Sequence, residues 1–272
     1  MSKRNSQAAK QAARERMRAE RERQAKKDKM RRQLIVAGAI VGVLAASGGI
    51  GYAVVQSNKP GYWESAKDNP LVKPTNTSGE NGTTVLLGKD SAKKTLKLYE
   101  DSRCPVCAQF EQQVGPEIDK DLADGKYRIQ YIGATFIDKG APGEGSRNAL
   151  SALGAALNVG EDAFLDYKAQ LYSAKFHPSE QDDKFKSDAY LLKVAEQVPE
   201  LKGNAAFRKA VQAGTYDRWA LEMSDTFTKN KDGVDGTPSL VMNGKKLTGD
   251  DNEHAPMTVP EFRKAVDAAL KG

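Results

Sequence analysis

Cysteine is scarce in this chain: its 272 residues contain only Cys104 and Cys107, separated by two positions. A secreted domain stapled by several disulfides is excluded, because such frameworks carry more cysteines at wider spacing. Histidine is equally scarce. Only His177 and His254 could join the cysteines as ligands, and they match no four-ligand zinc spacing. No metal or other cofactor is expected. A purely structural bridge across two residues would restrain little of the unfolded chain, so the pair points to reactivity. Residues 1–33 lack glycine, proline and aromatic residues, and residues 34–55 lack charge.

The overall charge of +6 is unevenly placed. Residues 1–33 hold thirteen Lys and Arg against four acids, giving +9 and leaving −3 (6 − 9) for the remainder. This is a basic tail on an ordinary acidic domain. Without aromatic side chains to stack on bases, the tail gives no support for a nucleic-acid partner. Its composition favours helix. A polybasic stretch beside a membrane would also attract anionic lipid headgroups.

The uncharged run from Leu34 to Val55 is long enough to cross a hydrocarbon core of roughly 30 Å. Lys26, Lys27, Lys29, Arg31 and Arg32 crowd its N-terminal flank. The positive-inside tendency therefore predicts a single-pass signal anchor, with residues 1–33 cytoplasmic and the C-terminal domain outside. A cleaved signal peptide is the alternative, with small residues at Ala45, Ala46 and Ser47. Residues 56–82, rich in Pro, Gly, Ser, Thr and Asn, read as a flexible linker. Tyr62 and Trp63 fit either the outer membrane interface or packing on the domain.

Residues 83–272 are patterned as a globular α/β domain. Strands are predicted at Thr83–Leu87, Thr95–Tyr99 and Tyr127–Phe136, with a helix from about Pro105 to Leu122 between the second and third. Between residues 144 and 230 only helical spacing appears, as in Leu150, Leu153, Leu157 and then Phe164, Tyr167, Leu171. Ser239–Met242, the Asn243-Gly244 turn and Lys246–Thr248 read as a hairpin. Thr258 and Glu261 form a capping box for a last helix. Trp219 reads as a core residue, and His177 and His254 as loop residues.

Disulfide exchange requires a nucleophilic thiolate and a second thiol near enough to resolve the mixed disulfide. Cys104-Pro105-Val106-Cys107, between a predicted strand and a predicted helix, supplies both. At the helix N-terminus, free backbone N–H groups and the helix dipole would favour a negative Cys104 sulfur. Pro105 suits the first helical position, and Cys107, a turn further in, would resolve. Gly236-Thr237-Pro238 precedes a predicted strand. A cis bond there would turn the Thr237 backbone toward the sulfurs, where its N–H and C=O could pair with an extended substrate. Pro105 and Val106 would flank the same substrate.

The run from Leu96 to Cys107, followed by Phe110 and Glu111, resembles the DsbA-like thioredoxin family, most of all its membrane-tethered Gram-positive members. The likeness covers about residues 83–270. It implies a thioredoxin-like fold with an inserted helical domain, a mixed disulfide at Cys104, and a threonine–cis-proline loop at Thr237 and Pro238 that docks substrate. One departure stands out. Members often carry a buried glutamate six residues before the first cysteine, and here that position is Leu98. The expected activity is extracytoplasmic oxidation of reduced cysteines in exported proteins, with a membrane or small-molecule partner recycling the cysteines. A reductase or isomerase on the same scaffold, or a client-binding module with vestigial redox chemistry, are the alternatives.

Overall fold

A computed structural model of the chain describes residues 61–272 and, ahead of them, a discontinuous set of exposed helical positions from Arg14 to Arg31. The predicted membrane span at 34–55 lies outside the described residues. Among those described, no helix is long and apolar enough to cross a membrane.

Five strands form one sheet: β1 (Val85–Leu87), β2 (Thr95–Asp101), β3 (Arg128–Ala134), β4 (Ser239–Met242) and β5 (Lys245–Leu247), in the order β1-β3-β2-β4-β5. Only β2 and β3 run parallel, so they need a crossover, which a helix from Pro105 to Asp124 provides. That helix is α2, numbered after a short α1 at Tyr62–Ser65. Gly125 ends α2 at φ 71, a left-handed cap that costs a side-chain-bearing residue more than glycine. The β4–β5 turn uses Asn243 and Gly244, both at positive φ, as the predicted two-residue hairpin requires.

The chain between β3 and β4 is helical: α3 (Ile137–Gly140), α4 (Gly145–Val159), α5 (Glu161–Tyr172), α6 (Asp188–Ala195), α7 (Ala205–Gln212) and α8 (Asp217–Thr228). The residues read at helical spacing, Leu150, Leu153, Leu157, Phe164, Tyr167 and Leu171, are buried together with Trp219. The last helix, α9 (Val259–Lys271), is capped by Thr258, whose hydroxyl accepts from the Glu261 N–H and donates to its carboxylate at 2.8 Å. It buries Phe262 and Val266.

Residues 62–82 correct the expectation of a flexible linker. Trp63, Ala66, Pro74 and Gly82 are buried, Asn76 Nδ2 donates to the Leu157 carbonyl at 2.9 Å, and Trp219 Nε1 donates to the Gly82 carbonyl at 2.6 Å. Pro, Gly and Asn here supply the turns of a segment that wraps the domain, and turn composition alone does not distinguish a wrap from a tether. Of the two readings for Tyr62 and Trp63, packing on the domain holds. Arg147 lies 5.4 Å from the Trp63 ring centroid, and Tyr62 Oη donates to Asp217 at 2.5 Å.

Candidate active site

Cys104 is the N-cap of α2, with extended backbone (φ −73, ψ 116), and Pro105 opens the helix. Its sulfur accepts from the Cys107 N–H at 3.4 Å. The Thr237–Pro238 peptide is cis, and the Cys104 thiol donates to the Thr237 carbonyl at 3.5 Å. The helix start and the loop before β4, far apart in sequence, thus meet at one sulfur. Both thiols are free. Cys107 is sealed in, Cys104 is 6% exposed, and Val106 between them is 47% exposed.

These surroundings separate the two thiols. A hydrogen bond from Cys107, opposed by burial and aided by the Cys107 and Val106 N–H groups and by the Thr237 side chain, lowers the Cys104 thiol from 9.0 to about 6. Burial, then the interaction with Cys104, then the nearby Glu100 carboxyl push the Cys107 thiol up. Beside the Cys104 face lies a groove of about 470 Å³, lined by Val106, Gln109, Thr237, Pro238, Leu240, Lys246, Leu247, His254 and Met257. His254 is an exposed loop residue, paired with Asp251 at 2.7 Å.

Two charged clusters flank the loop that carries Cys104, and both arise from β2. Alternation along the strand puts Leu96, Leu98 and Glu100 on one face and Tyr99 and Asp101 on the other. Glu100 is fully buried. Lys168 Nζ, on α5, lies 3.4 Å from Glu100 and 2.5 Å from Glu111. Burial and the Glu111 carboxylate raise Glu100 well above the usual carboxylate range, against the pull of Lys168. The Oε1 atoms of Glu100 and Glu111 and the hydroxyls of Tyr131 and Tyr172 are buried without a hydrogen-bond partner among the described residues.

On the other side, Asp101 Oδ1 accepts from the Arg103 N–H at 3.0 Å and from Ser146 Oγ at 2.6 Å, and Oδ2 accepts from the Ile137 N–H at 3.1 Å. Arg103 itself pairs with Asp138 at 2.8 Å. His177, read as a loop residue, does lie in a loop, but its Nε2 is 3.1 Å from the Ser102 carbonyl and its ring stacks on Tyr172.

The residues singled out from sequence, Cys104, Pro105, Val106, Cys107, Thr237 and Pro238, are brought together. Glu100, an acid near the vacant Leu98 position, carries no assigned role in the sequence reading, and Lys168 and Arg103 are not singled out by it. A glutamate in register with Leu96 and Leu98 was the signal for the first. Lys168, on the same face of α5 as Phe164, Tyr167 and Leu171, was the signal for the second. Arg103 carries no such signal.

A family model described as thioredoxin matches residues 80–268. The disulfide bond formation protein D of Bacillus subtilis is 23% identical over 188 residues, 69% of this chain and 77% of that one. Among solved structures, oxidised BdbD from Bacillus subtilis superposes with a TM-score of 0.56 at 22% identity, over 74% of this chain and all (100%) of the other. The MdbA thiol-disulfide oxidoreductase of Actinomyces oris gives 0.57 at 21% identity, over 75% and 93%. With a Cys-x-x-Cys pair capping a helix against a cis-proline loop, the chain belongs to the thioredoxin family, as a DsbA-like thiol–disulfide oxidoreductase.

Proposed function

We propose that this chain oxidises reduced cysteines in exported proteins, using the Cys104–Cys107 disulfide as the electron acceptor. The observation that carries the direction is the stabilised Cys104 thiolate, with its thiol lowered from 9.0 to about 6. A stabilised thiolate favours the reduced enzyme, and so makes its disulfide a stronger oxidant.

A substrate thiolate attacks Cys104 Sγ; the Cys104–Cys107 bond breaks and a mixed disulfide forms at Cys104. The electron pair leaves on Cys107 as a thiolate, which takes up a proton because its burial disfavours the charge. Glu100, buried and held toward its neutral form, is the candidate donor, in place of the acid absent at Leu98. The substrate's second thiolate then attacks the substrate sulfur, and Cys104 leaves as a thiolate. Two electrons have moved from substrate to enzyme. Thr237 and Pro238, with Pro105 and Val106 across the groove, would align the incoming strand.

The recycling oxidant is a membrane or small-molecule partner. The apolar run 34–55 supports an uncleaved anchor with a cytoplasmic basic arm resting on anionic lipid. The domain is then extracytoplasmic, where disulfides persist.

Equilibration with glutathione tests the direction. A reduction potential near that of known extracytoplasmic oxidants is expected, and one closer to thioredoxin's would assign a reductase instead. Cys107→Ser should trap a mixed disulfide at Cys104, whereas activity surviving both Cys104→Ser and Cys107→Ser would remove the redox reading.

A further inference from the structure

Arg103 immediately precedes Cys104, yet its side chain is only 2% exposed. Its guanidinium is held on every nitrogen by the helical insertion. Nη1 donates to Asp138 Oδ1 at 2.8 Å and to the Ala141 carbonyl at 3.2 Å, and Nη2 donates to the Glu180 carbonyl at 2.8 Å. Nε lies 3.3 Å from Asp183 Oδ1. The surrounding backbone closes in through glycines. A Cβ on Gly143 would sit 2.5 Å from Arg103 Nη1, and one on Gly145 2.2 Å from Asp183 Oδ1. A planar fork with fixed donor directions tolerates little displacement in such a cage.

Asp138 extends the contact outward. Its Oδ2 accepts from both the N–H and the Nε of Arg147, each at 3.0 Å, and the Arg147 guanidinium covers the buried Trp63 ring at 5.4 Å. Trp63 is fixed in turn by its neighbour Tyr62, bonded to Asp217. Direct contacts therefore run from the wrapped N-terminal segment to the residue beside the nucleophile. The Cys107 N–H reaches the Cys104 sulfur at 3.4 Å, so a shift of the loop that carries Cys104 would weaken the bond that favours its thiolate.

We propose that Arg103 is a positioning residue for Cys104, and that the segment Tyr62–Asp68 bears on the redox loop through Arg147, Asp138 and Arg103. The inference rests on Cys104 being the attacking sulfur. Its consequence is that the domain boundary next to the apolar run takes part in setting thiol reactivity, although it touches neither cysteine.

The test is the pH dependence of iodoacetamide alkylation of the reduced full-length chain in detergent, with the modified sulfur mapped by mass spectrometry. Arg103→Gln is expected to raise the alkylation midpoint by about one pH unit, with Arg103→Lys intermediate. Trp63→Ala and Arg147→Gln are expected to raise it by about half a unit. Loss of packing alone would lower the melting temperature and leave the midpoint in place. An unchanged midpoint in folded Arg103→Gln or Arg103→Lys overturns the positioning role. An unchanged midpoint in both Trp63→Ala and Arg147→Gln overturns the path from the segment, and the partly exposed Arg147 site decides the matter if the Arg103 variants do not fold. Alkylation at Cys107 in the parent chain would instead overturn the assignment of Cys104, a separate failure.

Discussion

The two charged clusters beside the redox loop begin one residue apart on β2 and are built in opposite ways. On the Asp101 face, the polar atoms of Asp101, Arg103 and Asp138 find partners. On the Glu100 face, one cation serves two carboxyls, and four oxygens are buried without a partner among the described residues. A satisfied buried network fixes geometry, whereas an under-satisfied one costs stability and calls for a reason to persist. The Asp101 face is therefore the fully bonded one, and the Glu100 face is where the proposed proton donor sits.

The most severe way to break this contrast is Lys168→Met. It strands two buried carboxyls without their cation, and a loss of about 3–5 kcal/mol is expected in urea unfolding. Asp138→Asn, on the satisfied side, removes the charge from several short bonds at once. A loss of about 2 kcal/mol is expected, together with a raised Cys104 alkylation midpoint, because Asp138 joins Arg147 to Arg103.

A smaller effect separates the redox states. Because folding lowers the Cys104 thiol from 9.0 to about 6, its thiolate stabilises the reduced form fully above pH 9 and progressively less as pH falls to 6. The oxidised form has no such group. The stability advantage of the reduced form should therefore shrink by roughly 1 kcal/mol between pH 7 and 5, as measured by paired melts of the two forms. Least costly to stability is Glu100→Gln, an isosteric change at a group already held toward neutrality, expected to cost under about 1 kcal/mol. It should nevertheless slow oxidation of the dithiol by about tenfold or more in stopped flow, if Glu100 handles the Cys107 proton. An unchanged rate would return Glu100 to a packing role.

Much of this was legible in the residues. Period-two alternation and the Asn243-Gly244 turn gave the strands and hairpin, helical spacing gave the insertion, and Thr258 with Glu261 gave the last cap. The same alternation that buries Leu98 also buries Glu100, so an acid on that face could be found from the pattern alone. The wrap at 62–82 could not. Its Pro, Gly and Asn content is the same whether those turns hang free or fold against α4 and α8, and the choice depends on surfaces contributed from more than sixty residues away.

By itself, then, the sequence determined the local chemistry: two thiols one helical turn apart, a proline at the helix start, and a threonine–proline step ahead of a strand. Those features depend on near neighbours, and neighbouring residues carry their signals with them. Tertiary structure alone decided which distant groups meet: Thr237 at the Cys104 sulfur, Lys168 between two glutamates, and Arg103 in the cage of the insertion. Such meetings are set by how the helices pack on the sheet, and no single stretch of chain specifies that packing.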